Sequence, residues 1–168
     1  MPIDTTTFRD VMAHVAMPVT VVTTLDPQGR WHGATIGSLT SLSLDPPLVM
    51  FALGRTTTLH HPLCASPRFA ISILTSTQHH LATRFAGTPT TRFDGDVAFL
   101  NGLPIVDAAT AWLICDRWQL IPAGDHTIVI GQVDNAVQGP EAPTGPLVYH
   151  QRRYHGLEAL ETAGAKAA

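Results

Sequence analysis

Between Gly33 and Leu48 the chain reads GATIGSLTSLSLDPPL, with five hydroxyl side chains (Thr35, Ser38, Thr40, Ser41, Ser43) inside nine residues. Small residues such as Gly37 and Ser38 allow a flat ligand to approach the backbone. Amides with no assured ladder partner would offer donors to a heterocycle rich in carbonyls and ring nitrogens. The same composition also suits a plain β-edge whose Ser and Thr bond locally, and taken alone the run favours that reading. A second group follows at GRTTTLHH, where Arg55 precedes Thr56, Thr57 and Thr58. Hydroxyls and free amides at a helix start, beside a guanidinium, would hold an anion, although a Thr N-cap needs no ligand. A third is AGDHTIVIG, in which Gly124 and Asp125 make a tight turn and His126 opens a strand. That histidine is either a solvated turn residue or the rim of a pocket.

Other chemistry is missing from the pattern. There is no GxGxxG, GxxxxGK[ST], GxSxG or HExxH. The pairs His60-His61 and His79-His80 are adjacent in sequence, so their side chains diverge on a helix and read as surface or interface histidines, not metal ligands. Cys64 and Cys115 lack metal or redox spacing and read as buried free thiols of a reducing compartment.

The totals set limits on partners. Of 168 residues only 14% are charged against 45% hydrophobic, which points to apolar surface covered at a subunit interface. A net charge of -3 leaves no basic patch for nucleic acid. The start of the chain, MPIDTTTFRD, lacks the pattern of a signal peptide, and no apolar run is long enough to span a membrane, so the expected location is the cytoplasm.

The elements that must position these groups follow from periodicity. Thr5 to Thr7 offer caps for a short helix carrying Phe8, Val11, Met12 and Val15, ending before Pro18. PVTVVTTL (18–25), the turn at Asp26–Gly29 and RWHGAT form a hairpin. PLVMFAL (47–53) reads as a buried strand, 56–67 as a short helix, 68–74 as a strand and 76–86 as a helix. Residues 87–96 read as a loop, 111–121 and 126–137 as long strands, and 145–150 as a last short strand. Seven or so strands without regular crossover helices favour a mainly β barrel with a few short helices. One domain over 1–157 is expected, with a flexible tail over 158–168.

Taken in order, PVTVVTT, GATIGSLTSLSLDPPLVMF, RTTTL, SPRFAISIL, QHHLATRFAG, AGDHTIVIGQV and GPLVYHQRRY resemble the flavin reductase family with the FMN-binding split barrel, the reductase components of two-component monooxygenases. The resemblance covers about Phe8 to Leu157. It implies a split β-barrel homodimer that transfers hydride from NADH or NADPH to FMN or FAD for a partner monooxygenase, with no nucleic acid or membrane partner. It further implies flavin contacts at Thr35, Gly37, Ser38, Leu39, Thr40 and Ser41, made largely through backbone groups. A phosphate motif maps to Thr56 and Thr58 beside Arg55, and further cofactor positions to Ser72, Arg84, Phe85 and Arg92. His126 would be the catalytic group that receives the nicotinamide, with Tyr154 and Arg153 as further nicotinamide contacts. The chain departs from the pattern at Gly37, where Asn is usual, at Leu39, where Phe is usual, and at Arg152, where Gly is usual. Two other readings stay open: a split-barrel oxidoreductase that keeps its flavin and acts on an organic substrate, and a non-catalytic flavin- or haem-binding protein.

Overall fold

A computed structural model describes residues 3–87, 92–140 and 145–159. Its first helix, α1 (Thr5–Met12), is capped by Asp4, whose carboxylate accepts from the amides of Thr6 and Thr7. The caps expected at Thr5–Thr7 therefore lie inside the helix, because Asp is the better N-cap and precedes them. No α1 residue is buried, and Phe8 and Val11 face solvent.

The two-residue strand β1 (Met17–Pro18) leads to β2 (Thr20–Leu25) and β3 (Trp31–Ile36), which form the expected hairpin. Asp26 organises its turn. The carboxylate accepts from the amides of Gln28 and Arg30 and from the Arg30 guanidinium at 2.6 Å, and lies 3.0 Å from His32 Nε2. Burial alone would raise this carboxyl's pKa, but the hydrogen bonds from His32 and Arg30 outweigh it and hold the group well below its usual range.

β4 (Thr40–Leu44) and β5 (Pro47–Gly54) make a second hairpin around a cis Asp45-Pro46 bond. The hydroxyl-rich run is thus divided. Its first part ends β3, Gly37 to Leu39 form an open link, and Thr40 to Leu44 are an edge strand. α2 covers only His60–Ala65, not 56–67. Thr56 to Thr58 instead sit in a turn where the Thr57 amide donates to the Gly54 carbonyl. The helix stops at Ser66, which is extended as the residue before Pro67 must be.

β6 (Arg68–Ile73) is followed by a 3-10 turn at Ser76–Gln78 and by α3 (His79–Ala86). β7 (Val97–Leu100) and β8 (Leu103–Val106) form a small hairpin that periodicity did not suggest. β9 (Ala111–Ala123) and β10 (His126–Gln138) are the long pair, and β11 (Leu147–His150) pairs with β12 (Arg153–Gly156). Of the expected tail only residues 158 and 159 are described, and positions 88–91 of the expected loop also lie outside the described residues.

The main sheet is antiparallel with order β3-β2-β6-β9-β10-β5-β4, so consecutive strands β3 and β4 lie at opposite edges. The sheet curls so that the β3 edge meets β5. Ala34 and Ile36 of β3 share one core with Val49, Phe51 and Leu53 of β5. Across the seam Ser38 Oγ accepts from the Ala52 amide at 2.9 Å. Inside, Gly131 of β10 sits at a register shift against the Phe69 ring, where a Cβ would overlap that ring and stand 3.0 Å from Cys115 Cβ. Cys115 is buried, and burial pushes its thiol pKa up to about 12. Cys64, expected to be buried as well, is only half-buried because it lies on the short outer helix α2.

Candidate functional site

A cavity of about 490 Å³ opens where the β3 edge meets β5. One wall is the backbone from Ala34 to Ser38, and the facing wall is Ala52 to Gly54. The amides of Gly37, Ser38 and Leu39 belong to no strand pair, and none donates to a backbone acceptor among the described residues. Three consecutive N–H groups are therefore open beside a glycine. The hydroxyls of this run do other work. Thr35 Oγ1 donates to the Ala82 carbonyl at 2.7 Å, tying α3 to β3. Ser38 is spent on the seam, Leu39 packs on the core, and Thr40 and Ser41 lie on the exposed edge strand. The wall is made of backbone more than of hydroxyl side chains.

At one end Thr56 and Thr57 line the same cavity, and a contiguous pocket of about 160 Å³ adds Thr58, Phe85 and Arg92. Arg92 donates to the Gly33 carbonyl at 3.0 Å, to Thr58 Oγ1 at 2.8 Å and to the Gly87 carbonyl. Its Nε–H is buried and has no partner among the described residues. A guanidinium held by three acceptors, with hydroxyls beside it, is suited to an oxyanion. The expected helix-start anion site is replaced by this arrangement, because α2 begins only at His60. Arg55 is exposed and its amide donates to the Asp125 carbonyl; its side chain is outside the pocket. Arg84 instead binds the Asp94 carbonyl at 2.9 Å and pairs with Asp96. Ser72 is buried in β6, where its hydroxyl accepts from the Val106 amide.

At the other end stand Asp125 and His126. Gly124 takes a φ of +60°, the conformation a two-residue hairpin turn asks of its first position, and so delivers His126 to the mouth of the cavity. His126 Nδ1 lies 2.7 Å from Asp125 Oδ1. That hydrogen bond, with the charge of the ring, holds the Asp125 carboxyl below its usual pKa. Gly54 leaves room beside the ring, since a Cβ there would stand 3.6 Å from His126 Nε2.

Tyr154 is not with His126. It lines a separate cavity of about 230 Å³, together with Tyr149, Val19 and Ala86, that touches the first across Met17 and Gly37. Arg153 is exposed and lies outside all of these cavities. Met17 and Tyr149 were absent from the sequence expectations. Tyr149 had a signal, as one of two tyrosines that face each other across the β11–β12 hairpin; Met17, in a strand of two residues, had none. Among the described residues no group of three or more His, Cys, Asp or Glu side chains could hold a metal, and no helix is long and apolar enough to cross a membrane.

The family profile described as flavin reductase like domain matches residues 12–158. Over 157 residues the chain is 41% identical to the NADH:riboflavin 5'-phosphate oxidoreductase of Streptomyces pristinaespiralis, covering 88% of this chain and 85% of that one. It is 36% identical over 160 residues to a flavin reductase of Pseudomonas putida, covering 94% and 93%. The crystal structure of nitrilotriacetate monooxygenase component B from Mycobacterium thermoresistibile superposes with a TM-score of 0.87 at 32% identity, over 97% of this chain and 92% of that one. In its mainly β fold and along nearly its whole length the chain follows these proteins, and it belongs to the flavin reductase-like domain family.

Proposed function

We propose that the chain is an NAD(P)H:flavin oxidoreductase that reduces FMN or FAD and supplies the reduced flavin to a partner monooxygenase. One observation carries the reading: two open amides, at Gly37 and Ser38, border a cavity that runs from a hydroxyl-and-arginine pocket to a histidine. A flavin fits that donor set. Its ring carries carbonyls and ring nitrogens in need of donors, and its ribityl phosphate suits Thr56, Thr58 and Arg92. The nicotinamide supplies hydride from C4 to flavin N5.

The residues do the placing. The amides of Gly37 and Ser38 would bind the ring edge on which negative charge grows. Arg92 and the threonines hold the phosphate end and so fix how far the ring slides along β3. His126, steadied by Asp125, receives the carboxamide side of the nicotinamide. No acid or base side chain is required for hydride transfer itself, so the Asp125–His126 pair serves to place the nicotinamide.

The curl of the main sheet supports a split barrel. Exposed apolar side chains, among them Leu44 (90% exposed) and Trp118 (54%), support a homodimer. The decisive experiment follows NADH absorbance in the four pairings of NADH or NADPH with FMN or FAD. Flavin-dependent loss of the nicotinamide band is expected; none in any pairing would overturn the reading. Light scattering at micromolar concentration tests the dimer.

A further inference from the structure

The cavity of Tyr149 and Tyr154 has the chemistry of a second ring site. It shares Met17, Thr35 and Gly37 with the larger cavity, so the two adjoin. β1 and β12 both pair with β11, in a register that sets Tyr149 opposite Met17 on one side and Tyr154 on the other. The two phenol rings stand 5.2 Å apart at 60°. Neither phenol hydroxyl is hydrogen-bonded among the described residues. No charged side chain lines the cavity; Val19 and Ala86 add apolar walls, and the one hydroxyl residue besides the tyrosines, Thr35, already donates its proton to the Ala82 carbonyl. Such a place rejects a phosphate. It suits a flat, neutral heteroaromatic ring whose edge both donates and accepts, because each phenol can do either. On its other side Tyr154 borders a depression with Ser76, His79 and His155, polar groups of the kind a ribose binds.

We propose that this cavity is an adenosine subsite. The inference rests on reading the larger cavity as the place where flavin and nicotinamide meet. Both FAD and the nicotinamide dinucleotide carry an adenosine beyond a diphosphate, and with the reacting rings beside Gly37 one adenosine can fold across Met17 into the tyrosine cavity. The shared ligand chemistry is an adenine ring with a neutral ribose; the two sources are separated by experiment.

The test measures NADH oxidation with FMN and, separately, with FAD as acceptor, with 5'-AMP as the probe. If the dinucleotide is the source, 5'-AMP competes with NADH. Tyr154→Leu then raises KM for NADH about tenfold with a much smaller effect on kcat, and weakens 5'-AMP inhibition in proportion. If FAD is the source, 5'-AMP competes with FAD, and the same variant erodes FAD affinity about tenfold relative to FMN. Tyr154→Phe keeps the ring and is expected to keep most of the affinity for either ligand, which separates loss of the ring from misfolding. The proposal is overturned if FMN-dependent NADH oxidation is intact while 5'-AMP competes with neither ligand and the Leu variant matches the parent. Absence of all flavin-dependent activity would instead count against the reading of the larger cavity.

Discussion

Met17 lies across Gly37, with its sulfur 3.5 Å and its Cβ and Cε 3.6 Å from the point where a side chain at 37 would begin. The thioether therefore occupies the side on which an amide side chain would project. Gly37→Asn is expected to fold but to push Met17 into the cavity, raising the FMN dissociation constant about fivefold. Met17→Ala should relieve the clash and return the double variant to within about twofold of the parent, a coupling typical of contacting residues. Independent, additive effects in flavin titrations would contradict this contact.

Arg92 bonds to three acceptors at the hydroxyl pocket, and its role depends on the fork of its guanidinium. Arg92→Met should raise KM for FMN about tenfold or more and leave riboflavin, which lacks the phosphate, nearly unaffected. Equal losses for both flavins would mean that Arg92 supports the fold and not the phosphate.

His126→Ala should raise KM for the nicotinamide about tenfold while flavin affinity, measured by fluorescence quenching, changes by less than about twofold. A parallel loss of both would move His126 from the nicotinamide to the flavin. Asp125→Asn should give a milder shift in the same direction, because it weakens the bond at Nδ1 without removing the ring.

The carboxyl of Asp26 titrates below its usual range in the folded chain. A group whose folded pKa is depressed stabilises the fold above its unfolded pKa, near 3.9, and loses that contribution as pH falls toward the folded value. Asp26→Asn is therefore expected to lower Tm at neutral pH, with the difference from the parent shrinking below about pH 4. A gap that stays constant into acid would show that the lost partner geometry, and not ionisation, is responsible.

The thiols should separate under a labelling reagent. Cys64, half-buried, is expected to react in the native protein, while Cys115, with its pKa pushed up to about 12 by burial, reacts only on unfolding. Mass spectrometry after native labelling should find one modified cysteine; two would contradict the enclosure of Cys115.

The long strands were legible because their signals are local. PVTVVTTL and the β9–β10 pair alternate or run apolar over many residues, and Gly124 names its own turn. β11 was legible as the short strand at 145–150, but its partner β12 and the hairpin β7–β8 hold four residues a strand, too few to build a period. The helix at 56–67 was overdrawn because Thr propensity says little once Gly54 and Pro67 constrain both sides. At the site, the family resemblance located the open link and His126. Individual side chains were harder to assign: Ser72 bonds within the core and Arg84 pairs with Asp96, contacts between strands and loops far apart in sequence. Met17 and Tyr149 come together only through the pairing of β1 with β11, a relation that no window along the chain contains.

Gly131 acts as an index mark for the whole long hairpin. β10 pairs with β5 from Gln132 to His126, and in a strand every one-residue slip would turn His126 to the opposite face. A slip would also bring a larger residue against the Phe69 ring, where not even one carbon fits beside residue 131. The emptiness at one glycine thus helps to keep a histidine five residues away aimed at the mouth of the cavity.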